Sequence, residues 1–167
     1  CNLVTLTRGG DYISSDLFSK DVIMEDYSGG HISTKDAGEL IRSLDKALGS
    51  DRFRFYPGIS YRHLFVWKGG ETDVQCTPPH DFTGKPLAGR FPTGKGVDVL
   101  KDMMEKALQI LASHPMNKER LVRGEKPANG IWLWGQGKAP RVQTFYSKYG
   151  LNGSMVAAVD LMRGIGK

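Results

Sequence analysis

At 167 residues and a net charge of +5, the chain is long enough for one domain with a full core. Its 40% hydrophobic and 25% charged residues contain no run near the roughly 20 apolar residues of a membrane span, and no signal peptide, so a membrane partner is not expected. The basic residues are scattered among acidic ones, which argues against nucleic acid as a partner, and the two cysteines, Cys1 and Cys76, form neither a disulfide framework nor a CxxC knuckle, which points to a reducing, cytoplasmic setting.

Leu3 to Thr7 and Val22 to Tyr27 read as strands, separated by a polar loop. A Ser28-Gly29-Gly30-His31 turn follows, and Ser33 or Thr34 can cap a helix in which Ala37, Leu40, Ile41, Leu44 and Leu48 recur at helical spacing up to Gly49. Phe53 to Trp67 is β-rich and broken by Pro57-Gly58; beyond the break His63, Phe65 and Trp67 share one face, and Arg62, Leu64 and Val66 the other. A short strand around Val74 to Cys76 leads into a long Pro/Gly loop, Thr77 to Thr93, whose length suggests function.

Val97, Leu100, Met104, Leu108 and Leu111 then form a second helical stripe, stopped by His114-Pro115, with another helical turn or two between Asn117 and Arg123. Alternation in Ile131-Trp132-Leu133-Trp134 predicts a strand with the tryptophans on one face, opening into Gly135-Gln136-Gly137, a loop suited to a ligand. Phe145 to Gly150 reads as a short capped helix and Met155 to Val159 as a last buried strand. The expected class is α+β, with helices on a mixed or antiparallel sheet. The chain begins within an alternating strand without an initiator Met, so we expect residues 1–167 to be one domain cut from a longer polypeptide.

Gly89 to Lys95 matches GxxxxGK, but Gly96 stands where a P-loop needs Ser or Thr for magnesium, and Pro92 removes an amide from the cradle. The histidines form no HxH or HExxH pattern, so no metal site is expected within the chain. His31, in a glycine turn, is not a core residue; His63 fits a structural role as well as a ligand contact. His80-Asp81, after two prolines and near Lys85, presents an imidazole, a carboxylate and an ammonium together. His114 reads as structural, a cation suited to a helix end. Arg62 is the natural bidentate partner of a phosphate or carboxylate. There is no serine elbow and no readable pair of catalytic carboxylates, so the rest of an active site has to come from elsewhere.

Asn2-Leu3-Val4-Thr5, Asp26 to Thr34, Tyr56 to Leu64, Cys76 to Asp81, Gly84-Lys85-Pro86, His114 to Asn117, the tryptophan strand and Ala158 to Leu161 together resemble the archaeal-type cofactor-independent phosphoglycerate mutases of the alkaline phosphatase superfamily. The resemblance spans nearly the whole chain. It implies interconversion of 3- and 2-phosphoglycerate, in glycolysis, through a phosphoserine enzyme with two divalent metals, manganese or zinc. It also implies that this chain is the inserted, cap-like domain that closes over the metal-binding domain of the same polypeptide. The family's nucleophilic serine and its metal-binding Asp and His motifs have no counterpart here, so the fragment alone should be inactive. By the same resemblance His31 is a substrate contact or proton-transfer partner, Arg62 a substrate clamp, and His80, Asp81, Asn129 and Gln136 substrate-site residues. Two other readings are a homoserine-kinase-like phosphotransferase domain and a non-catalytic module binding phosphorylated metabolites.

Overall fold

The computed structural model describes residues 1–157 and 160–166, the side chain of Asp160 excepted. The chain divides into two compact units, Cys1–Gln136 and Gly137–Lys167.

In the first unit the spine is β1 (Asn2–Arg8), buried along nearly its whole length. It pairs antiparallel with β2 (Asp11–Tyr12) and β3 (Ile23–Asp26) through its second half, and with β8 (Gly130–Trp132) through Asn2, Leu3 and Val4. Two small antiparallel sheets accompany it: β4 (Phe53–Tyr56) with β5 (Leu64–Trp67), and β6 (Val74–Gln75) with β7 (Thr93–Gly94). The α+β class holds, and every described pairing is antiparallel.

Two helices supply most of the remaining core. In α1 (Thr34–Leu48) the Ser33 hydroxyl caps the first turn by accepting from the Asp36 amide, and Ala37, Leu40, Ile41 and Leu44 are buried. In α2 (Val97–Ala112) the expected stripe is buried from Leu100 to Leu111. α2 packs on β8 and α1 on β4, so β8 is buried on both faces, with Trp132 set against Phe82 and Phe91 at 5.2 and 5.5 Å between ring centroids. Burying such a ring contributes about 3 kcal/mol. α3 (Pro115–Val122) is capped by His114, whose Nδ1 accepts from the Met116 amide while Nε2 lies 2.9 Å from the Ser43 hydroxyl. His114 is structural, as expected, but as an accepting cap at a helix start rather than a cation at a helix end.

The long loop is not open. Gly84 donates to the Met24 carbonyl, Lys85 accepts from the Met24 amide, and Leu87 donates to Val22, so the loop runs along the outer edge of β3. Phe82 and Leu87 anchor it in the core. The GxxxxGK segment is likewise built into structure: Thr93 and Gly94 belong to β7, and the Lys95 amide donates to the Asp73 carbonyl. A Cβ on Gly94 would meet that same carbonyl at 2.3 Å, which explains the glycine without a phosphate.

The second unit holds α4 (Phe145–Tyr149), capped by Thr144 and closed by left-handed Gly150, and α5 (Asp160–Ile165), a helix the sequence pattern did not announce. The strand expected at Met155 to Val159 is not present in its described part: 155–157 are irregular and Met155 and Val156 are exposed, while Ala158 and Val159 lie outside the described residues. A buried strand needs a partner strand to take its backbone bonds, and residues 155–157 belong to none of the described pairings.

Candidate functional site

A row of rings and one cation lines one wall of the first unit. The Arg62 guanidinium lies over the Tyr61 ring at 4.9 Å, and its Nη1 donates to the Tyr61 hydroxyl at 3.1 Å. Tyr61 meets Tyr27 edge-on at 5.6 Å, Tyr27 meets His80 at 6.1 Å, and His80 meets Trp134 at 5.4 Å. Asn2 closes the row from behind: its amide donates to the Tyr27 carbonyl, and its oxygen accepts from the Trp134 indole at 2.9 Å. Asn2 also forms a β-bridge with Arg62. Five segments far apart in sequence thus meet at the first residues of β1.

Arg62 is the cation of this wall. Among the described residues no carboxylate pairs with it, and its Nε is buried without a hydrogen-bond partner. A guanidinium stacked on an aromatic ring, with no carboxylate on its fork, suits a planar or tetrahedral anion. His80 sits in a 3-10 turn, Pro79–Phe82, half-exposed, its Nε2 3.5 Å from the Asp81 carboxylate. Lys85, exposed on the same loop, makes no ion pair with Asp81, so the expected threefold cluster reduces to an imidazole beside a carboxylate.

His31 lies on the neighbouring turn, exposed, just before the N-terminus of α1, where the helix presents its positive end. The turn is held by Asp26, whose carboxylate accepts from the Ser28 amide and hydroxyl at 2.8 and 2.6 Å, and Ser28 in turn accepts from the His31 amide. The Ser60 hydroxyl donates to the Ile32 carbonyl at 2.7 Å and ties this turn to the loop that carries Arg62.

Asn129 and Gln136 stand differently. Asn129 is buried where β8 leaves β1, and its side-chain amide replaces a strand residue: the oxygen accepts from the Leu6 amide, and the nitrogen donates to the carbonyls of Leu6 and Ile13. The Gln136 amide donates to the Val74 carbonyl. Both side chains are engaged by backbone. Asn117 works in the same way, joining α3 to the residue before Asn129 through the amide and carbonyl of Ala128. His63, behind the wall, accepts from the Gly58 amide through Nδ1. Burial, and then the Cys1 ammonium, push its pKa down to about 3, so it is a neutral structural imidazole. Burial also pushes the Cys76 thiol up, against a role as a thiolate nucleophile.

Sequence reasoning missed Tyr27, Tyr61 and Asn2 as parts of the wall, and Arg120 behind the His31 turn. Tyrosines in short β segments read as core, and Arg120 sits in a charged stretch that reads as solvated. Among the described residues no three His, Cys, Asp or Glu side chains gather as metal ligands, and no helix is long and apolar enough to cross a membrane.

Residues 1–117 match the family model described as 2,3-bisphosphoglycerate-independent phosphoglycerate mutase. The chain is 47% identical over 145 residues to the probable 2,3-bisphosphoglycerate-independent phosphoglycerate mutase of Geobacter sulfurreducens, covering 87% of this chain and 36% of that protein. It is 45% identical over 169 residues to the 2,3-bisphosphoglycerate-independent phosphoglycerate mutase of Methanosarcina barkeri, covering 99% of this chain and 39% of that protein. Among solved structures, a cofactor-independent phosphoglycerate mutase from Thermoplasma acidophilum shares the fold, with a TM-score of 0.63 at 23% identity over 98% of this chain and 42% of its own. The chain thus spans well under half the length of the relatives it matches. It belongs to the 2,3-bisphosphoglycerate-independent phosphoglycerate mutase family.

Proposed function

We propose that the chain is the substrate-covering domain of a phosphoglycerate mutase of the alkaline phosphatase superfamily, acting in the cytoplasm on 3- and 2-phosphoglycerate. The observation that carries this reading is Arg62: a cation without a carboxylate partner, stacked on Tyr61, at one end of a wall that runs through His80 to Trp134. Its fork fits a carboxylate or phosphate of the substrate, and the aromatic frame limits the water that would weaken the pairing. His31 and the positive end of α1 face a second anionic group, with the imidazole available to hold or pass a proton. We assign His80 with Asp81 to a polar contact with the glycerate, and Asn129 and Gln136 to holding β8 and its glycine turn in register.

The residues described here do not fit a resident metal. In this reading two divalent ions, manganese or zinc, and the nucleophilic serine belong to the remainder of the polypeptide. The exposed side chains Phe145, Tyr146, Leu161 and Ile165 of the second unit support a further packed partner, which we take to be that metal domain.

The test is mutase turnover by the full-length polypeptide with added manganese, beside homoserine plus ATP as the competing substrate pair. Turnover of 3-phosphoglycerate, with Arg62→Ala lowering kcat/KM roughly 100-fold or more, is the expected result. Phosphorylation of homoserine instead, or tight binding of phosphoglycerate by this chain alone without turnover in the full-length protein, would overturn it.

A further inference from the structure

Gly29, Gly30 and His31 have φ of +59°, +71° and +50°, a run of left-handed residues that ends on a non-glycine side chain. Such a run persists only where its surroundings over-determine it. Here the surroundings are Arg120. It is 2% exposed, and its Nη2 donates to the Gly29 carbonyl at 3.0 Å while Nε donates to the Lys126 carbonyl at 3.0 Å. Its Nη1 lies 2.9 Å from Glu125 and 3.4 Å from Asp36 in the first turn of α1. Arg123, paired with the same two carboxylates, closes the outside of the network. The fit is tight: a Cβ on Gly30 would meet the Lys126 Cβ at 2.9 Å and Arg120 Nη2 at 3.3 Å.

A second brace comes from Ser60, itself left-handed at φ +53°. Its amide donates to the Thr34 hydroxyl and its hydroxyl to the Ile32 carbonyl, so the turn is held from below by Arg120 and from the side by Ser60. Ser60 is two residues before Arg62. His31 and Arg62, which do not touch, are therefore held in one spatial relation by two residues outside the wall.

We propose that Arg120 and Ser60 are positioning residues that fix His31 against Arg62, and that neither contacts the substrate. This rests on the mutase reading above. The guanidinium is required for its geometry: a lysine keeps the charge but cannot reach Gly29, Lys126 and the carboxylates at once.

The test uses Arg120→Lys and Ser60→Ala. In the full-length polypeptide both should lower kcat, roughly 10- to 100-fold for Arg120→Lys and less for Ser60→Ala, with KM for 3-phosphoglycerate changed much less. In this chain, the nuclear magnetic resonance signals of the His31 amide and ring should shift in both variants, with the melting temperature of Ser60→Ala close to that of the parent. Should Arg120→Lys fail to fold, Ser60→Ala decides the matter. Unchanged kcat with unmoved His31 signals in Ser60→Ala, or a fall in melting temperature alone in Arg120→Lys, would overturn the proposal. Moved His31 signals in a full-length protein without mutase turnover would uphold the brace and discard the mutase reading instead.

Discussion

The two units use similar side chains to opposite effect. In Cys1–Gln136 leucines, methionines and Trp132 are sealed around β1, α1 and α2. In the second unit Phe145, Tyr146, Tyr149, Leu151, Leu161 and Ile165 are all more than half exposed. The difference is one of layers. A stripe of apolar residues becomes a core only when a second element covers it, and β1 gives the first unit a surface on which several elements converge. α4 and α5 are five and six residues long, too short to bury one another. Apolar content alone does not make a core.

That contrast can be broken in several ways. The largest effect should come from Trp132→Ala, which removes a fully buried ring and should cost about 3–5 kcal/mol in denaturant unfolding. Next, Asn129→Ala leaves the Leu6 amide and the Leu6 and Ile13 carbonyls without their side-chain partner, a loss of about 1–3 kcal/mol by the same measurement. His63 sets a pH dependence. An unfolded chain binds its proton near 6.5 and the folded chain near 3, so the unfolded state takes up more protons between those values, and stability should fall as pH drops from 6.5 toward 3. His63→Asn should flatten that slope in melts taken across the window.

A smaller effect belongs to Asp45. The amide of Phe55, and then Arg54, hold its carboxyl below the usual carboxylate value of 3.8. Its stabilisation is therefore present above that pH and lost as pH falls below it. Because it is partly solvated, Asp45→Asn should cost only about 1 kcal/mol at neutral pH and nothing in strong acid. Val156→Ala, at a side chain 98% exposed, should leave unfolding of the first unit within about 0.5 kcal/mol of the parent. A large loss there would mean that the second unit is not as open as its surface suggests.

Much of the fold was legible because periodicity reports burial. The stripes of α1 and α2 fell where their patterns put them, and the strand expected over Ile131 to Trp134 formed but closed at Trp132, leaving Leu133 and Trp134 beyond it. The two-residue strands β2 and β7 carry too few positions for any pattern, and residues 155–157 show that an apolar run is not yet a strand. For the site, Arg62 and His80 were visible as chemistry. Asn129 was visible too, but a polar amide beside a glycine turn reads the same in sequence whether it serves a ligand or a neighbouring strand. Arg120 was hidden for the converse reason: its five donors serve backbone and carboxylates contributed from across the fold, and no local spacing records that.

The loop along β3 has a consequence for the molecule in a crowded solution. A bare strand edge is a template on which a second chain can add itself, and growth by such addition is how folded proteins begin to fibrillise. With the carbonyl of Val22 and both backbone groups of Met24 already taken by residues 84–87, β3 offers no such template, and the principal sheet is closed to recruitment on that side.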